Sequence, residues 1–231
     1  MKLLKIIRWL CARLLNRYSK LFSRRNLDNL LLKSLADMNL PETSFALNIG
    51  AGGELGSILT RYFPAIKQLD LDEKRNPDFL LSVEDMYLIK DESMDVVFCL
   101  EVLEHVRNPG KAISEISRVL KPGGRVVGST PFIFPIHDAP NDYYRFTEHG
   151  VRYLFDRFRE EQLQQRNGFF ASIYVLLCRS LLQNDSPYRL LRSVALFPLV
   201  LLLLPLFLIL NLLTRNNFCT TGYFYIFSKI E

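Results

Sequence analysis

The sequence predicts an α/β protein: a doubly wound, mostly parallel, Rossmann-like sheet, with an amphipathic helix before it and an apolar helical insertion near its end. Three observations predict this. Short apolar runs alternate with helical patterns from about residue 45, which is how a parallel sheet covered by helices on both faces reads. The first 25 residues carry eight Lys and Arg and no acid, against 21 basic and 24 acidic residues in the rest. Finally, Ser193 to Thr214 is a run of 22 residues without a charge, long enough to span a bilayer.

At 231 residues, 49% hydrophobic and 23% charged, the chain has room for one domain of this type and is neither disordered nor fibrous. The formal charge of +5 belongs to the N-terminal segment. The body is slightly acidic, so a basic nucleic-acid-binding face is excluded and no nucleic-acid partner is expected.

Residues 1–40 contain no Gly or Pro. Leu3, Ile7, Leu10, Leu14, Tyr18 and Leu21 recur at steps of three and four, with Lys2, Lys5, Arg13, Arg17, Lys20 and Arg24 opposite them, so a basic amphipathic helical segment is expected. Its acid-free polar face suits an anionic membrane surface; a helix packed on the domain with a solvated basic face fits the same pattern. Arg8 and Arg13 interrupt any signal-peptide core. Phe45 to Ile49 reads as a strand, followed by the turn Gly50-Ala51-Gly52-Gly53 and a helix from Leu55 to Tyr62. Ala65 to Leu71 is a second strand, with Asp70 and Asp72 at its end. Met94 to Leu100 is a buried strand, and residues 109–120 form a helix ending before the hairpin Lys121-Pro122-Gly123-Gly124. Arg125 to Ser129 is a further strand. The acid-rich stretch 159–166, a helix over 169–183, the apolar run and a last strand, Tyr223 to Ile230, complete the chain. Cys11, Cys99, Cys178 and Cys219 show no CxxC pair and no framework spacing. They read as free thiols in a reducing compartment, and no metal site is expected.

Gly50 and Gly52 allow a tight turn and a close backbone approach to a ligand, with helix N–H groups beyond it. A carboxylate at the end of the second strand accepts hydrogen bonds from ribose hydroxyls; Asp70 is the first choice and Asp72 the second. Leu55 stands where a dinucleotide fingerprint needs its third glycine, so an NAD-dependent reductase is the poorer reading.

The run Asp95-Val96-Val97-Phe98-Cys99-Leu100-Glu101-Val102-Leu103-Glu104-His105-Val106, followed by Arg118-Val119-Leu120-Lys121-Pro122-Gly123-Gly124, settles the choice. Together with Leu47 to Gly52, Asp70 and Val83-Glu84-Asp85-Met86, it resembles the class I S-adenosylmethionine-dependent methyltransferases, methyltransferase type 11 branch, over residues 45–158. The segment His137 to Thr147 is similar to one in methyltransferases of bacterial envelope-polysaccharide gene neighbourhoods. The resemblance implies seven strands with the last antiparallel, and S-adenosyl-L-methionine as cofactor. Gly50, Ala51 and Gly52 would cradle its methionine part and Asp70 its ribose. Val83 and Glu84 would flank the adenine, with Asp85 a partner of its amino group. Leu100 and Glu101 would approach the methyl donor. Asn48 stands where many members carry an acid and would hydrogen-bond the cofactor's amino group without a charge-assisted bond.

Transfer to a hydroxyl needs removal of its proton. His105 and His137 are the candidate general bases, since imidazole titrates near neutrality; His105 as a helix cap is the bland alternative. Asp142, Tyr143 and Arg145 are expected to bind the acceptor. An N-cap at Thr147 and a salt bridge between Asp142 and Arg145 account for part of that segment without a ligand.

For the apolar residues 194–213 a single crossing would strand the last strand on the wrong side, and both flanks are basic. Pro198 and Pro205 point to a re-entrant or in-plane hairpin. The expected organisation is a basic helical segment over 1–40, a cofactor-binding core over 41–168, a membrane-associated insertion over 169–218 and the final strand over 219–231. The expected place is the cytoplasmic face of a bacterial-type plasma membrane, with a small-molecule or lipid-linked acceptor. A non-catalytic membrane adaptor that keeps the fold is the rival from another class.

Overall fold

A computed structural model of the chain describes residues 2–41, 43–182, 189–214 and 219–230. Seven strands form one sheet: β1 (Ala46–Ile49), β2 (Lys67–Asp70), β3 (Phe79–Leu80), β4 (Met94–Leu100), β5 (Leu120–Pro131), β6 (Phe158–Gln165) and β7 (Gly222–Lys229). Their order is β3-β2-β1-β4-β5-β7-β6. β3, β2, β1, β4 and β5 run parallel, and β7 is antiparallel to β5. The fold class read from the sequence is the observed one. β1 and β4 are central, and Ala46–Ile49 is buried throughout. Their largely apolar runs, interrupted by Asn48 and Asp95, are what strands covered on both faces require.

The helices are α1 (Lys2–Phe22), α2 (Arg24–Met38), α3 (Gly53–Tyr62), α4 (Pro109–Val119), α5 (Glu148–Leu154), α6 (Phe169–Leu182) and α7 (Arg189–Leu213). α4 starts where the Asn108 side chain accepts from the Lys111 N–H, and it buries Ala112, Ile113, Ile116 and Val119 at helical spacing. α5 starts where Thr147 Oγ1 accepts from the Gly150 N–H at 3.0 Å.

The chain divides into two compact units. One comprises Met1–Leu30, Ile133–Pro135 and Gln165–Thr221; the other comprises Leu31–Phe132, Ile136–Gln164 and Gly222–Glu231 and holds the sheet. In the first, Leu15 and Phe22 of α1 pack with Ala171, Tyr174, Val175 and Cys178 of α6 and Val200 of α7. The buried stripe of α1 runs through Leu15 and Phe22 rather than the expected positions: Tyr18 and Leu21 pack beside it, but Leu10 is 47% exposed. Arg13, Arg17 and Arg25 stay exposed.

Three local expectations need correction, and one strand has no sequence signal. The helical segment over 1–40 is two helices. Ser23 donates from its hydroxyl to the Ser19 carbonyl at 3.0 Å, a back-bond that bends helices. Lys121-Pro122-Gly123-Gly124 is not a separate hairpin: it lies within β5, where Leu120 pairs with Met94 and Arg125 with Val96, with a register shift between them. β6 has no apolar alternation to announce it. It lies at the sheet edge beyond β7, where its acidic residues meet water. The apolar run is one continuous helix with Pro198 and Pro205 inside it, so no hairpin forms within residues 194–213. Both prolines are on the exposed side, while Val200 is buried. The stretch Ala195–Leu213 has mean hydropathy 2.7 and is 6% buried.

Candidate functional site

Parallel strands of an open sheet present their carboxyl ends to one edge, and ligands bind there. At the end of β1, Gly50 has φ +89° and Gly52 φ +115°, the left-handed region that favours glycine. A Cβ on Gly50 would lie 2.9 Å from Val102 Cγ2, so Val102 can pack this close to the turn only because the side chain is missing. Asn48 is buried, and its amide donates to the Gly50 carbonyl at 3.3 Å and to Gln68 Oε1 at 2.7 Å. It holds the turn.

Asp70 closes β2. Its Oδ1 accepts the Asp72 N–H at 2.8 Å and its Oδ2 accepts from Arg75 at 3.0 Å. The same Arg75 nitrogen donates to the Ala51 carbonyl at 3.1 Å. Arg75 thus bridges the turn after β1 and the end of β2, a role no short-range pattern announces. Asp72 is turned elsewhere: it caps the short turn Glu73–Arg75. Beyond β3, Val83 is buried and Asp85 exposed. Glu84 is engaged structurally, accepting the Asn108 N–H at 3.1 Å.

At the end of β4, Leu100 is buried and Glu101 has φ +57°, a conformation that costs a non-glycine residue on the order of 1–2 kcal/mol. Two hydrogen bonds to Ser129 of β5 hold it: the Glu101 N–H donates to the Ser129 carbonyl at 2.9 Å, and the Ser129 hydroxyl donates to Glu101 Oε1 at 3.0 Å. A 3-10 turn, Leu103–His105, follows.

That turn meets the loop after β5. Glu104 is fully buried, and its Oε1 lies 3.8 Å from His105 Nε2 and 3.8 Å from His137 Nε2. The two imidazoles meet edge to face at 4.9 Å between centroids. Asp142 and Arg145 form a bidentate pair, with both bonds at 2.6 Å. Asp142 Oδ2 also accepts the His137 N–H at 2.9 Å. The Arg145 fork, followed by that N–H, holds the Asp142 carboxyl well below the usual carboxylate range. The same fork raises the Arg145 pKa. Tyr143 and Tyr144 are tethered at the backbone, where the Tyr143 N–H donates to the Glu104 carbonyl at 2.8 Å. The Tyr143 ring remains 39% exposed, available to a ligand. Below the cluster, burial and then the Glu104 charge push the Cys99 thiol far up, so it stays protonated and unreactive.

Of the residues singled out in the sequence, Asn48, Gly50, Ala51, Gly52 and Asp70 come together at β1 and β2. His105, His137, Asp142, Tyr143 and Arg145 come together beyond β4 and β5. Glu104 and Arg75 had been given no role. The signal for Glu104 is an acid beside His105 in the turn that follows the buried strand β4.

Residues 47–128 match the model of the family described as a methyltransferase domain. A ubiquinone biosynthesis O-methyltransferase of Thiobacillus denitrificans is 32% identical over 99 residues, which are 36% of this chain and 43% of that protein. The chain thus spans less than half the length of that relative. Among solved structures, phosphoethanolamine N-methyltransferase 2 of Haemonchus contortus, in complex with S-adenosyl-L-methionine, superposes with a TM-score of 0.55 at 17% identity over 88% of this chain and 53% of that one. Geranyl diphosphate C-methyltransferase of Streptomyces coelicolor, in complex with Mg2+, geranyl diphosphate and S-adenosyl-L-homocysteine, does so at 0.55 and 13% identity, over 89% of this chain and 82% of that one. At these identities the likeness is one of fold.

Proposed function

We propose, from the match of residues 47–128 to the methyltransferase domain family, that this chain is an S-adenosylmethionine-dependent methyltransferase acting on a small, membrane-held acceptor. The observation that carries the proposal is the juxtaposition at one sheet edge of a glycine turn, an acid closing β2 and a polar cluster beyond β4 and β5. The turn suits a cofactor: its positive-φ glycines bring bare backbone groups to the sheet edge, and Val102 packs against Gly50 so closely that no side chain is tolerated there. The Asp70 carboxylate stands beside it.

In this reading Gly50, Ala51 and Gly52 hold the methionine end through backbone groups, with Asn48 fixing their path. Asp70 orients the ribose once Arg75 shifts. Val83, Glu84 and Asp85 border the adenine, Val83 by packing. The cofactor supplies an electrophilic sulfonium methyl. Leu100 and Glu101 border the reacting centre, and Glu101 is fixed by Ser129 so that it does not reorganise. Asp142, Tyr143 and Arg145 shape the acceptor side, and His105 and His137 manage the acceptor's proton.

The membrane reading rests on the first unit. Leu199, Leu202, Ile209 and Leu213 of α7 are exposed by 51%, 74%, 54% and 75%, an apolar face that water does not favour. Arg13, Arg17 and Lys20 on α1 border a groove whose charge suits an anionic lipid surface. Since β7 follows α7 and pairs within the same sheet as β5, an in-plane position of α7 at the cytoplasmic face is favoured over a single crossing. The relative's ubiquinone-biosynthetic name and the neighbour's geranyl diphosphate support a lipophilic acceptor, such as a polyprenyl-linked glycan or a quinone precursor.

The test is incubation of membranes containing the protein with methyl-labelled S-adenosylmethionine, followed by identification of the labelled lipid extract. Binding of the cofactor by the purified protein is expected, with loss in Asp70→Ala and Gly50→Arg. An intact protein that binds none would leave the adaptor reading instead. A tag after Glu231 reachable only from outside sealed cells would refute the cytoplasmic-face placement.

A further inference from the structure

We infer that Glu104, His105 and His137 form a binding site for a divalent transition-metal ion of the zinc class. One carboxylate oxygen and one nitrogen from each imidazole lie within 4.8 Å of one another, and the two Nε2 atoms are each 3.8 Å from the same oxygen, Glu104 Oε1. Tetrahedral ligands at about 2.1 Å from a metal are about 3.4 Å apart. The observed separations therefore need a contraction of about 0.4 Å at the carboxylate and of up to about 1.4 Å between the ring nitrogens, a small rotation of two partly exposed rings. Two imidazoles and a carboxylate are a donor set suited to zinc and its neighbours rather than to calcium or magnesium, which prefer oxygen alone.

The outer contacts support the assignment independently. His105 Nδ1 is 2.6 Å from the Asn141 carbonyl oxygen. A carbonyl only accepts, so Nδ1 carries the hydrogen and Nε2 presents its lone pair toward Glu104. His137 Nδ1 lies 3.4 Å from Asp142 Oδ2, which places a carboxylate behind that ring as well. Metal-binding histidines have their second nitrogen anchored to a carbonyl or carboxylate in this way. The anchor is itself fixed, since Asp142 is 2% exposed and clamped by Arg145. The chain has three histidines; two converge here, while His149 is 83% exposed. The imidazoles are 22% and 27% exposed, so an ion can reach them and a fourth position stays open to a ligand, as in catalytic zinc sites.

The role of the ion rests on the methyl-transfer reading: an acceptor hydroxyl on the open position becomes more acidic and releases its proton to water. His105 and His137 then manage the acceptor's proton as ligands of the ion. Binding of the ion does not depend on that reading.

The experiment uses the full chain, freed of metal by chelator and dialysed. It is titrated with Co2+, read by visible absorption, and with Zn2+, read by equilibrium dialysis. One equivalent is expected, with the intense absorption of a tetrahedral cobalt site. Loss is expected in the His105→Ala and His137→Ala variants and retention in His149→Ala, with circular dichroism confirming the fold. Asp142→Asn is expected to weaken binding about 10–100-fold, as for other outer contacts. His137→Gln, which keeps volume and polarity, guards against misfolding and should also lose the ion. Wild-type protein that binds no equivalent, or binding unchanged in the His105→Ala/His137→Ala double variant, overturns the site. Cofactor binding is measured on the same metal-free sample. An ion bound where the cofactor is not would sink the methyl-transfer reading and leave the site standing.

Discussion

Replacing Asp142 by Asn tests how the acceptor-side loop is held. The substitution keeps shape and removes one charge from a side chain that is 2% exposed, facing an Arg145 that is 24% exposed. Two bonds of 2.6 Å to the guanidinium and one of 2.9 Å to the His137 N–H converge on the carboxylate. Removing one partner of a buried pair costs about 3–5 kcal/mol. Arg145 retains partial access to water, which lowers the expectation to about 2–3 kcal/mol, or about 5–10 °C in Tm for a domain of this size.

The pH dependence follows from the depressed Asp142 pKa. A carboxylate stabilised in the folded state contributes fully above its unfolded pKa, about 3.9, and the contribution is lost as pH falls through the lower folded value. The wild type should therefore exceed Asp142→Asn by a constant margin from pH 7 to about pH 5, and the margin should close only below about pH 4. Thermal unfolding followed by circular dichroism across this range measures it. Equal midpoints at pH 7, or a margin that closes near pH 6, would refute the reasoning, the latter by implicating histidine instead.

Three further outcomes follow. Arg75→Ala should change S-adenosylmethionine affinity by less than about fivefold, because its bond to Asp70 is made by a side chain 52% exposed and such pairs contribute under about 1 kcal/mol; calorimetric titration beside Asp70→Ala, which should lose binding, separates bridge from anchor. Leu202→Glu with Ile209→Glu should lower co-sedimentation with anionic vesicles more than tenfold while leaving Tm within a few degrees, since both side chains are exposed and each apolar residue transferred to lipid contributes about 1.5–3 kcal/mol; unchanged sedimentation would remove α7 from the membrane contact. Gly128→Val should prevent folding or lower Tm by more than 10 °C, roughly the effect of several kcal/mol, because a Cβ there enters the Tyr225 ring across the β5–β7 pairing; solubility and circular dichroism report it.

The sequence by itself determined what short-range physics decides. The glycine turn after β1, the acid closing β2, the buried run of β4, the amphipathic pattern of α4 and the cap at Thr147 each follow from interactions within a few residues, so all were legible. The partners of those elements were not. The back-bond at Ser23 divides a pattern that reads as one helix, and β6 is a strand only because β7 offers it an edge. The apolar stripe of α1 suits lipid or protein equally well; Leu15 and Phe22 pack on α6 and α7, while Leu10 stays exposed. Pro198 and Pro205 suggest a break, but both sit on the outer side of α7 while Val200 packs inward, and the helix continues. The convergence of Glu104 and His105 with His137, 32 positions further on, depends on β4 and β5 being neighbours. Sheet order is a long-range property that no local window contains, so the tertiary structure alone decided which side chains share a site.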